Sequence, residues 1–162
     1  MAIKLVRIDD RLIHGQVAFA WIKFANAKYL VVADDVVVKD SMQQMLLRLA
    51  APKTVSLQML SINDSIKFCE EHENDSIFLI VRNPENMLKL VEGGLKISEI
   101  NLGNISLSKS ELPRKTLLKN IHVTEQDVTC LRTIADKGIN IYIKLIPEDH
   151  PMDAIELFDK KY

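Results

Sequence analysis

The residues best suited to chemistry stand close together near the start of the chain, around His14. The apolar run at 3–8 is followed by charged residues. Arg7 and Arg11 precede the pair His14-Gly15, at which a helical pattern begins. A helix N-terminus offers unpaired backbone N–H groups and the positive end of the helix dipole, and both attract anions. Arginine forks bind phosphate through two hydrogen bonds. The segment therefore predicts a phosphate or other anion site with a histidine beside it.

The elements that hold this segment follow a regular pattern along the chain. Runs rich in Val, Ile and Leu predict strands at 3–8, 28–33, 54–60, 76–82, 98–102, 118–123 and 139–146. Amphipathic patterns predict helices at 15–26, 39–50, 61–73, 84–92, 124–137 and 151–160. Such alternation is typical of a three-layer α/β fold, in which an open, mostly parallel sheet of about seven strands carries helices on both faces. We expect residues 1–162 to form one domain.

Start signals mark several of the helices. We expect Ser61, Asn83 and Thr124 to be N-caps, and Pro151 to begin the last helix. The helix at 39–50 has apolar residues at i, i+3, i+4 and i+7, so we expect that face to fill the core. Its members are Met42, Met45, Leu46 and Leu49.

Four further polar residues are expected at the same edge of the sheet as His14. Asp34 and Asp35 end the second predicted strand, and Arg82 and Asn83 end the fourth. In open α/β sheets, ligands bind beyond the carboxyl ends of the strands. These side chains are candidates to orient groups in the site or to dock a partner. Helix capping and loop structure are the alternative explanation.

Composition and charge exclude several classes of protein. The formal net charge of −1 gives no electrostatic basis for binding nucleic acid. No apolar stretch approaches the roughly 20 residues of a membrane span, so we expect no direct membrane insertion. Cys69 and Cys130 cannot form a multi-bridge framework, and we expect reduced thiols. His72, His122 and His150 lack partners at metal-ligand spacing, so neither a metal nor a cofactor is predicted.

Two other functional classes fit the same scaffold less well. Asp9-Asp10 and Lys144 superficially resemble the acidic pocket and lysine of a receiver-type signalling module. That class needs an acceptor aspartate at the end of the third strand, where the chain has none, and it gives His14 no role. A nucleotide-binding or purely docking module is the second alternative, but no GxGxxG or GxxxxGKS/T pattern follows a predicted strand.

A resemblance to a known family rests on residues 7–17, which read Arg-Ile-Asp-Asp-Arg-Leu-Ile-His-Gly-Gln-Val and are followed by Trp21. They resemble the active-site loop of the IIB subunits of the sugar phosphotransferase system, mannose/fructose/sorbose family. Asp34-Asp35-Val36 and Asn101-Leu102-Gly103-Asn104 are also similar to the family pattern. The stretch 103–117 departs from it, and its weak periodicity predicts an irregular loop.

The resemblance implies a function. In this family the loop histidine accepts a phosphoryl group from a phosphohistidine on the IIA subunit. It passes the group to a sugar that enters through the membrane subunits IIC and IID. By position, His14 is the residue that is phosphorylated. The resemblance thus implies a cytoplasmic, free-standing IIB subunit that associates with the membrane permease. It also implies a phosphotransferase whose substrate is a sugar of the mannose, fructose, sorbose or amino-sugar class.

The residues around His14 suit this chemistry. An attacking histidine nitrogen needs its lone pair, and a helix N-terminus and nearby arginines disfavour the imidazolium form. The candidates to stabilise the phosphate are Arg7, Arg11, Gly15 and Gln16. Gly15 lets a bulky group approach the backbone closely. We expect Asp9 or Asp10 to hold one ring nitrogen of the histidine.

Overall fold

A seven-stranded sheet forms the centre of the computed structural model, which describes residues 3–107 and 113–162. In chain order the strands are β1 (Ile3–Asp9), β2 (Tyr29–Ala33), β3 (Ser56–Leu60), β4 (Ile77–Val81), β5 (Glu99–Asn104), β6 (Lys115–Leu118), β7 (Ile121–Val123), β8 (Asn140–Ile143) and β9 (Met152–Asp153). The order across the sheet is β3-β2-β4-β1-β5-β8-β9, and β6 pairs with β7 in a separate hairpin. The first six strands of this order are parallel, and β9 is antiparallel to β8.

Helices cover both faces of this sheet. They are α1 (Gly15–Ala25), α2 (Ser41–Ala50), α3 (Ile62–Glu71), α4 (Pro84–Glu92), α5 (Glu125–Ala135) and α6 (Ala154–Lys161). Helices α1 and α2 pack on one face, in an apolar cluster with Leu30 and Phe78. Helices α3 to α6 pack on the other, with Val31 and Leu79, because neighbouring residues of a strand point to opposite faces. The predicted three-layer α/β fold with a mostly parallel sheet is confirmed.

The strand predicted at 118–123 is not a strand of the main sheet. The chain turns at Lys119 and Asn120, and Leu118 pairs with Ile121 across the β6-β7 hairpin. The apolar run that suggested one continuous strand is thus divided between two short antiparallel strands.

The stretch 103–117, predicted as an irregular loop, is partly regular. Strand β5 extends to Asn104, and β6 begins at Lys115. Between them, Ile105 is fixed to the hairpin, because its N–H donates to the Asn120 carbonyl at 2.9 Å and its carbonyl accepts from the His122 N–H at 3.0 Å. Residues 108–112, which fall within the predicted loop, lie outside the described residues.

The last helix begins later than predicted. Strand β9 pairs with β8 and supplies the seventh strand of the sheet. Asp153 then caps α6, because its carboxylate accepts a hydrogen bond from the Glu156 N–H at 3.0 Å. Pro151 therefore precedes the short strand and is not the first residue of the helix.

The three predicted N-caps are present. The side-chain oxygens of Ser61, Asn83 and Thr124 each accept a hydrogen bond from the backbone N–H three residues further on, at 2.8 to 3.0 Å. Thr124 also takes part in a reciprocal capping box with Asp127. These caps fix where α3, α4 and α5 leave the strands that precede them.

Helix α2 is turned the opposite way from the prediction. The four apolar side chains expected in the core are all exposed, with accessible fractions of 67% for Met42, 52% for Met45, 58% for Leu46 and 78% for Leu49. Leu47 is the buried residue of this helix. The side chains of Gln43 and Gln44 are hydrogen-bonded at its inner side, to Arg82 and to the Val37 carbonyl. The spacing identified an apolar stripe correctly but not the side of the helix that meets the sheet.

This orientation predicts opposite effects for two neighbouring leucines. Leu47→Ala removes buried side-chain atoms and is expected to lower the free energy of unfolding by about 2–4 kcal/mol. Leu46→Ala, the same change on the outer face, is expected to alter it by no more than about 0.5 kcal/mol. Urea unfolding of both variants at low micromolar protein measures the difference. A larger loss for Leu46→Ala would mean that the stripe, and not Leu47, faces the sheet.

Candidate functional site

The loop between β1 and α1 is fixed to the protein by two apolar side chains. Leu12 and Ile13 are both buried, with exposed fractions of 3% and 5%. Leu12 adopts a left-handed backbone conformation, with φ at 59°, and its N–H donates to the Asp9 carbonyl at 2.9 Å. A β- or γ-branched residue rarely adopts this conformation, which costs about 1–3 kcal/mol and persists only where packing enforces it. The tight turn holds the next residue, His14, at the surface.

His14 occupies the N-cap position of α1 and is exposed. Its side chain makes no capping hydrogen bond, and the first turn contains no acidic residue. Among the six α-helices of the described residues, α1 is unlike the other five, each of which has a capping side chain. The first backbone N–H groups of a helix have no intrahelical partner. The start of α1 therefore presents free donors and a positive dipole end next to the imidazole.

Gly15 and Gln16 follow His14 in the first turn, and both are exposed. Gly15 has a φ of +48°, and nothing lies within 4 Å of the position that a Cβ atom would occupy. The space beside the Gly15 Cα is therefore open. The close approach of a phosphate to the backbone at Gly15 stays a prediction.

Asp9 lies below the loop and joins its two arginines. One carboxylate oxygen accepts hydrogen bonds from the Arg11 backbone N–H at 3.0 Å and from Arg11 Nε at 3.1 Å. The other accepts from Arg7 Nη2 at 3.0 Å and from Arg11 Nη2 at 3.1 Å. Asp9 is 1% exposed. Its hydrogen bonds go to the arginines and not to His14, so the expected orienting contact with the imidazole is not made by this residue.

Arg7 supports Asp9 from inside the protein. Its Nη1 donates to the Asn101 side-chain oxygen and to the Lys144 carbonyl, the latter at 3.1 Å. Its guanidinium lies 5.1 Å from the centre of the Trp21 ring. Burial lowers the pKa of Arg7, and the charge of Asp9 acts in the opposite direction. Because the side chain is 1% exposed, the expected direct contact between Arg7 and a phosphate is not available in this structure.

Gly103 gives the Arg7 guanidinium its space. A Cβ atom at residue 103 would lie 2.2 Å from Arg7 Cζ. Asn101, two residues earlier on β5, donates from its side-chain amide to the Lys144 carbonyl at 3.2 Å, the same carbonyl that accepts from Arg7. In the sequence, Asn101 and Gly103 stood out only as part of a family pattern. The sequence did contain a signal for their role. Both are polar or small residues at the end of a predicted strand, on the same edge of the sheet as His14.

Asp10 connects the loop to the chain after β5. Its carboxylate accepts from Asn104 Nδ2 at 2.9 Å, from the Ser106 hydroxyl at 2.9 Å and from the Ser106 N–H at 2.7 Å. Asp10 is 5% exposed. No hydrogen bond between Asp10 and His14 is found among the described residues. These contacts hold the loop against the chain that follows β5.

Arg11 is the arginine that reaches the surface. Its side chain is 25% exposed. Asp9 holds Nε and Nη2, while Nη1 forms no hydrogen bond with any residue in the described part of the chain. The guanidinium plane is thus fixed along one edge and has a donor left over for a ligand. The exposed groups of the site are the side chains of Arg11, His14 and Gln16 and the backbone of Gly15.

The residues predicted at the ends of β2 and β4 form a separate network on the same edge. The Asp34 carboxylate, 2% exposed, accepts from Arg82 Nε at 3.1 Å and from two backbone N–H groups of the turn that follows β2. Asp35 accepts from the Ile62 N–H at 2.9 Å. Asn83 caps α4. In the described residues, none of these side chains is hydrogen-bonded to the His14 loop, so an orienting role has no contact to support it.

None of the helices in the described residues is long and apolar enough to cross a bilayer. No group of three or more His, Cys, Asp or Glu side chains among them is arranged to hold a metal ion.

Known proteins share both the sequence and the architecture of this chain. The family model described as "PTS system sorbose subfamily IIB component" matches residues 3–162. The chain belongs to this family. The family predicted from the loop residues is therefore confirmed, and a IIB component is a phosphotransferase of the sugar phosphotransferase system. The receiver and nucleotide-binding alternatives are thereby excluded.

Relatives resemble this IIB component over nearly its whole length. The N-acetylgalactosamine-specific phosphotransferase enzyme IIB component 1 of Escherichia coli (strain K12) is 38% identical over 149 residues, which cover 91% of this chain and 92% of that protein. The fructose-specific EIIB component of Bacillus subtilis (strain 168) is 32% identical over 159 residues, covering 97% and 96%. The mannose-specific EIIAB component of Escherichia coli (strain K12) is 31% identical, but this chain spans only 49% of its length. The family thus works with IIA components, to which that relative is fused.

Solved structures share the fold. The IIBSor domain of the sorbose permease from Klebsiella pneumoniae superposes with a TM-score of 0.92 at 28% identity, covering 100% of this chain and 99% of that one. The IIB component 1 specific for N-acetylgalactosamine from Escherichia coli has a TM-score of 0.85 at 37% identity, covering 93% and 98%.

The close contact between Gly103 and Arg7 predicts a coupled pair of substitutions. Gly103→Ala overpacks the guanidinium and is expected to lower the free energy of unfolding by about 1–3 kcal/mol. In an Arg7→Lys background the same change is expected to cost clearly less, because a lysine has no planar group at that place. Urea unfolding of the wild type, the two single variants and the double variant gives the coupling energy. Additive effects, within about 0.5 kcal/mol, would contradict the contact.

Proposed function

We propose that His14 carries the phosphoryl group in this IIB component. It accepts the group from a phosphohistidine of a IIA component and transfers it to a sugar that enters through the membrane subunits IIC and IID. The observation that carries the proposal is the exposed imidazole at the uncapped N-terminus of α1. Arg11, fixed by Asp9, stands in the same loop.

The first transfer forms one bond and breaks another. The lone pair of a neutral His14 ring nitrogen attacks phosphorus, and the bond from phosphorus to the donor imidazole of IIA breaks, leaving its electron pair on that imidazole. In the second transfer a sugar hydroxyl oxygen forms a bond to phosphorus and its proton passes to solvent, while the bond between phosphorus and His14 breaks and returns its electron pair to the ring nitrogen. Charge spreads over three equatorial oxygens in such reactions, so catalysis depends mainly on positioning and on stabilising that charge.

The loop supplies this stabilisation from two sources. The N–H groups at the start of α1 form one, and the free edge of the Arg11 guanidinium is the other. Gly15 leaves the approach open, and Gln16 is a further exposed donor. Arg7, Asp9 and Arg11 together have a net charge of +1, so the loop still attracts an anion although one carboxylate is buried beneath it.

Arg7 and Asp9 act in this proposal as positioning residues. Asp9 fixes Arg11 through its backbone N–H and two guanidinium nitrogens, and Arg7 compensates the remaining charge of the buried carboxylate. A long arginine side chain loses considerable rotamer freedom when it binds phosphate. Because Asp9 has already fixed Arg11, that loss is avoided at the transfer step.

We further propose the setting of the reaction. The substrate is a sugar of the mannose, fructose, sorbose or amino-sugar class, as the names of the relatives suggest. The protein works on the cytoplasmic side and meets the membrane through its permease subunits. In the network beside the site, Asp35 is exposed and Arg82 and Asn83 are half-buried, so these three would border a docked partner. Asp34 is buried and holds Arg82 in place through its carboxylate.

Phosphorylation with defined components tests the proposal. The protein is incubated with phosphoenolpyruvate, the general phosphotransferase proteins and a IIA component. The modified residue is then mapped by mass spectrometry under alkaline conditions, where a phosphoramidate survives and an acyl phosphate does not. We expect label on His14, none in His14→Ala, and normal labelling of His150→Ala, which removes another exposed histidine. Full labelling of a folded His14→Ala variant would remove His14 from this role.

Arg11 gives a second test. Arg11→Ala removes the surface guanidinium and is expected to slow transfer from IIA roughly 100-fold. Lys39→Ala removes an exposed cation outside the loop and is expected to change the rate less than about twofold. Arg11→Lys keeps the charge but loses the hydrogen bonds of the guanidinium edge, so an intermediate rate is expected. Rapid-quench measurement of phosphoryl transfer compares them, and equal rates for Arg11→Ala and Lys39→Ala would rule out the proposed contact.

A further inference from the structure

The site that we propose for phosphoryl transfer has two parts, which belong to different elements. His14 and the free backbone N–H groups stand at the start of α1. The Arg11 guanidinium is held by Asp9 at the end of β1. Both parts must contact the same phosphoryl group, so their relative position has to be kept to within about 0.5 Å. A residue that contacts the supports of both parts would control that position.

Trp21 is such a residue. It follows His14 by about two turns of α1, which brings the two side chains to the same side of the helix. His14, Trp21, Arg7 and Asp9 line one narrow cavity beneath the loop. The Arg7 guanidinium lies over the Trp21 ring, 5.1 Å from its centre. Arg7 donates to the Asp9 carboxylate, and the same carboxylate holds Arg11.

The turn after β8 gives Trp21 and Arg7 a common anchor. The indole N–H of Trp21 donates to the Leu145 carbonyl at 2.9 Å, and Arg7 Nη1 donates to the preceding carbonyl, that of Lys144, at 3.1 Å. The turn itself is fixed, because the Asp149 carboxylate accepts from the Leu145 N–H at 3.1 Å. A closed ring of contacts therefore joins α1 to the end of β1.

We propose that Trp21 is a positioning residue for phosphoryl transfer. Acting through Arg7 and Asp9, it keeps the Arg11 guanidinium in a fixed position relative to the start of α1. The inference rests on the proposed role of His14 as the phosphoryl carrier. Trp21 is 1% exposed and lies beneath the loop, so it does not itself meet the phosphoryl group.

This role is distinct from filling the core. Trp21 also packs in the apolar cluster between α1 and the sheet, with Leu30 and Phe78. Any apolar side chain of suitable size could occupy that space. Only an electron-rich ring attracts a guanidinium to its face, and only a donor can bind the Leu145 carbonyl. The two contacts can therefore be removed one at a time while the ring stays in place.

Replacement of the indole N–H tests the first contact. The chain contains a single tryptophan, so an analogue incorporated at tryptophan codons replaces Trp21 alone. Benzothienylalanine has sulfur in place of the N–H and keeps the shape of the ring. Single-turnover transfer from a phosphorylated IIA component gives the maximal rate and the IIA concentration at half that rate. We expect the maximal rate to fall about tenfold and the half-saturating concentration to stay unchanged, because positioning and not docking is impaired.

A fluorinated tryptophan tests the second contact. Fluorine on the benzene ring withdraws electron density from its face and weakens the attraction for Arg7, while the N–H remains. We expect the maximal rate to fall about threefold. Phe24→Leu is the matched control. Phe24 is 63% exposed and packs edge-on against Trp21, with ring centres 5.7 Å apart, so its loss changes the packing of Trp21 but neither contact. We expect this variant to change the rate less than about twofold.

An Arg11→Ala background separates positioning from general damage. There, benzothienylalanine is expected to change the maximal rate less than about twofold, because no guanidinium remains to be positioned. Circular dichroism checks that each protein is folded. An equal decrease in both backgrounds would overturn the inference, because Trp21 would then act independently of Arg11. An unchanged maximal rate with Arg11 present, or an effect on the half-saturating concentration alone, would also overturn it.

The same reactions distinguish failure of this inference from failure of the proposed function. The site of labelling is mapped in the wild-type protein in parallel. Absence of label on His14 would contradict the proposed function. Normal label on His14, together with a wild-type rate for the protein that contains benzothienylalanine, would contradict only the role of Trp21.

Discussion

The His14 loop depends on one buried carboxylate, that of Asp9, which is shared between two guanidinium groups. An ion of this kind is strongly unfavourable in the interior unless its charge and its hydrogen-bonding capacity are both satisfied. Arg7 and Arg11 do this together, one from inside and one from the surface. Removing either guanidinium would leave a balanced one-to-one ion pair but would take hydrogen bonds away from a buried carboxylate, which typically costs about 1–3 kcal/mol. The position of Arg11 is therefore tied to the stability of the protein itself.

The arrangement extends into the sheet through Arg7. Strands β1, β5 and β8 lie side by side, and three groups meet at their ends: Arg7 of β1, the Asn101 side chain of β5 and the carbonyl of Lys144, the residue that follows β8. Trp21 of α1 covers the guanidinium, and its indole N–H donates to the Leu145 carbonyl at 2.9 Å. A residue at the surface is thus held by the ends of three strands and one helix. Such support on regular elements positions a site more rigidly than a free loop can.

The sequence was sufficient for the parts of this protein that local rules control. The alternation of apolar runs predicts the layered fold, and Ser61, Asn83 and Thr124 mark helix starts because an N-cap acts on its own chain three residues on. The place of His14 followed from the strand and helix on either side of it. The family was predicted from residues 7–17. Local rules do not determine how a side chain or a helix is oriented relative to residues that are distant in the sequence. From the sequence, Arg7 resembles a phosphate ligand. In the structure it is enclosed by Asn101 and Gly103, which lie almost a hundred positions further along the chain. The apolar residues of α2 have the spacing of a core face, but the inner side of the helix is occupied by Gln43, which accepts a hydrogen bond from Arg82, and by Gln44, which donates one to the Val37 carbonyl.

The missing cap of α1 has a consequence for the energy that a bound phosphoryl group retains. In the proposed reaction the group supplies the acceptors that a capping side chain supplies elsewhere, so its arrival completes the helix. Every hydrogen bond made in this way stabilises the phosphohistidine and so lowers its group-transfer potential. If the phosphoryl group were stabilised too strongly, the protein could not transfer it to the next acceptor. The start of α1 offers backbone donors and one arginine and not a cluster of cations. This arrangement limits the decrease in group-transfer potential. The uncapped start of α1 thus helps to determine how much free energy is released when the phosphoryl group is transferred to this protein.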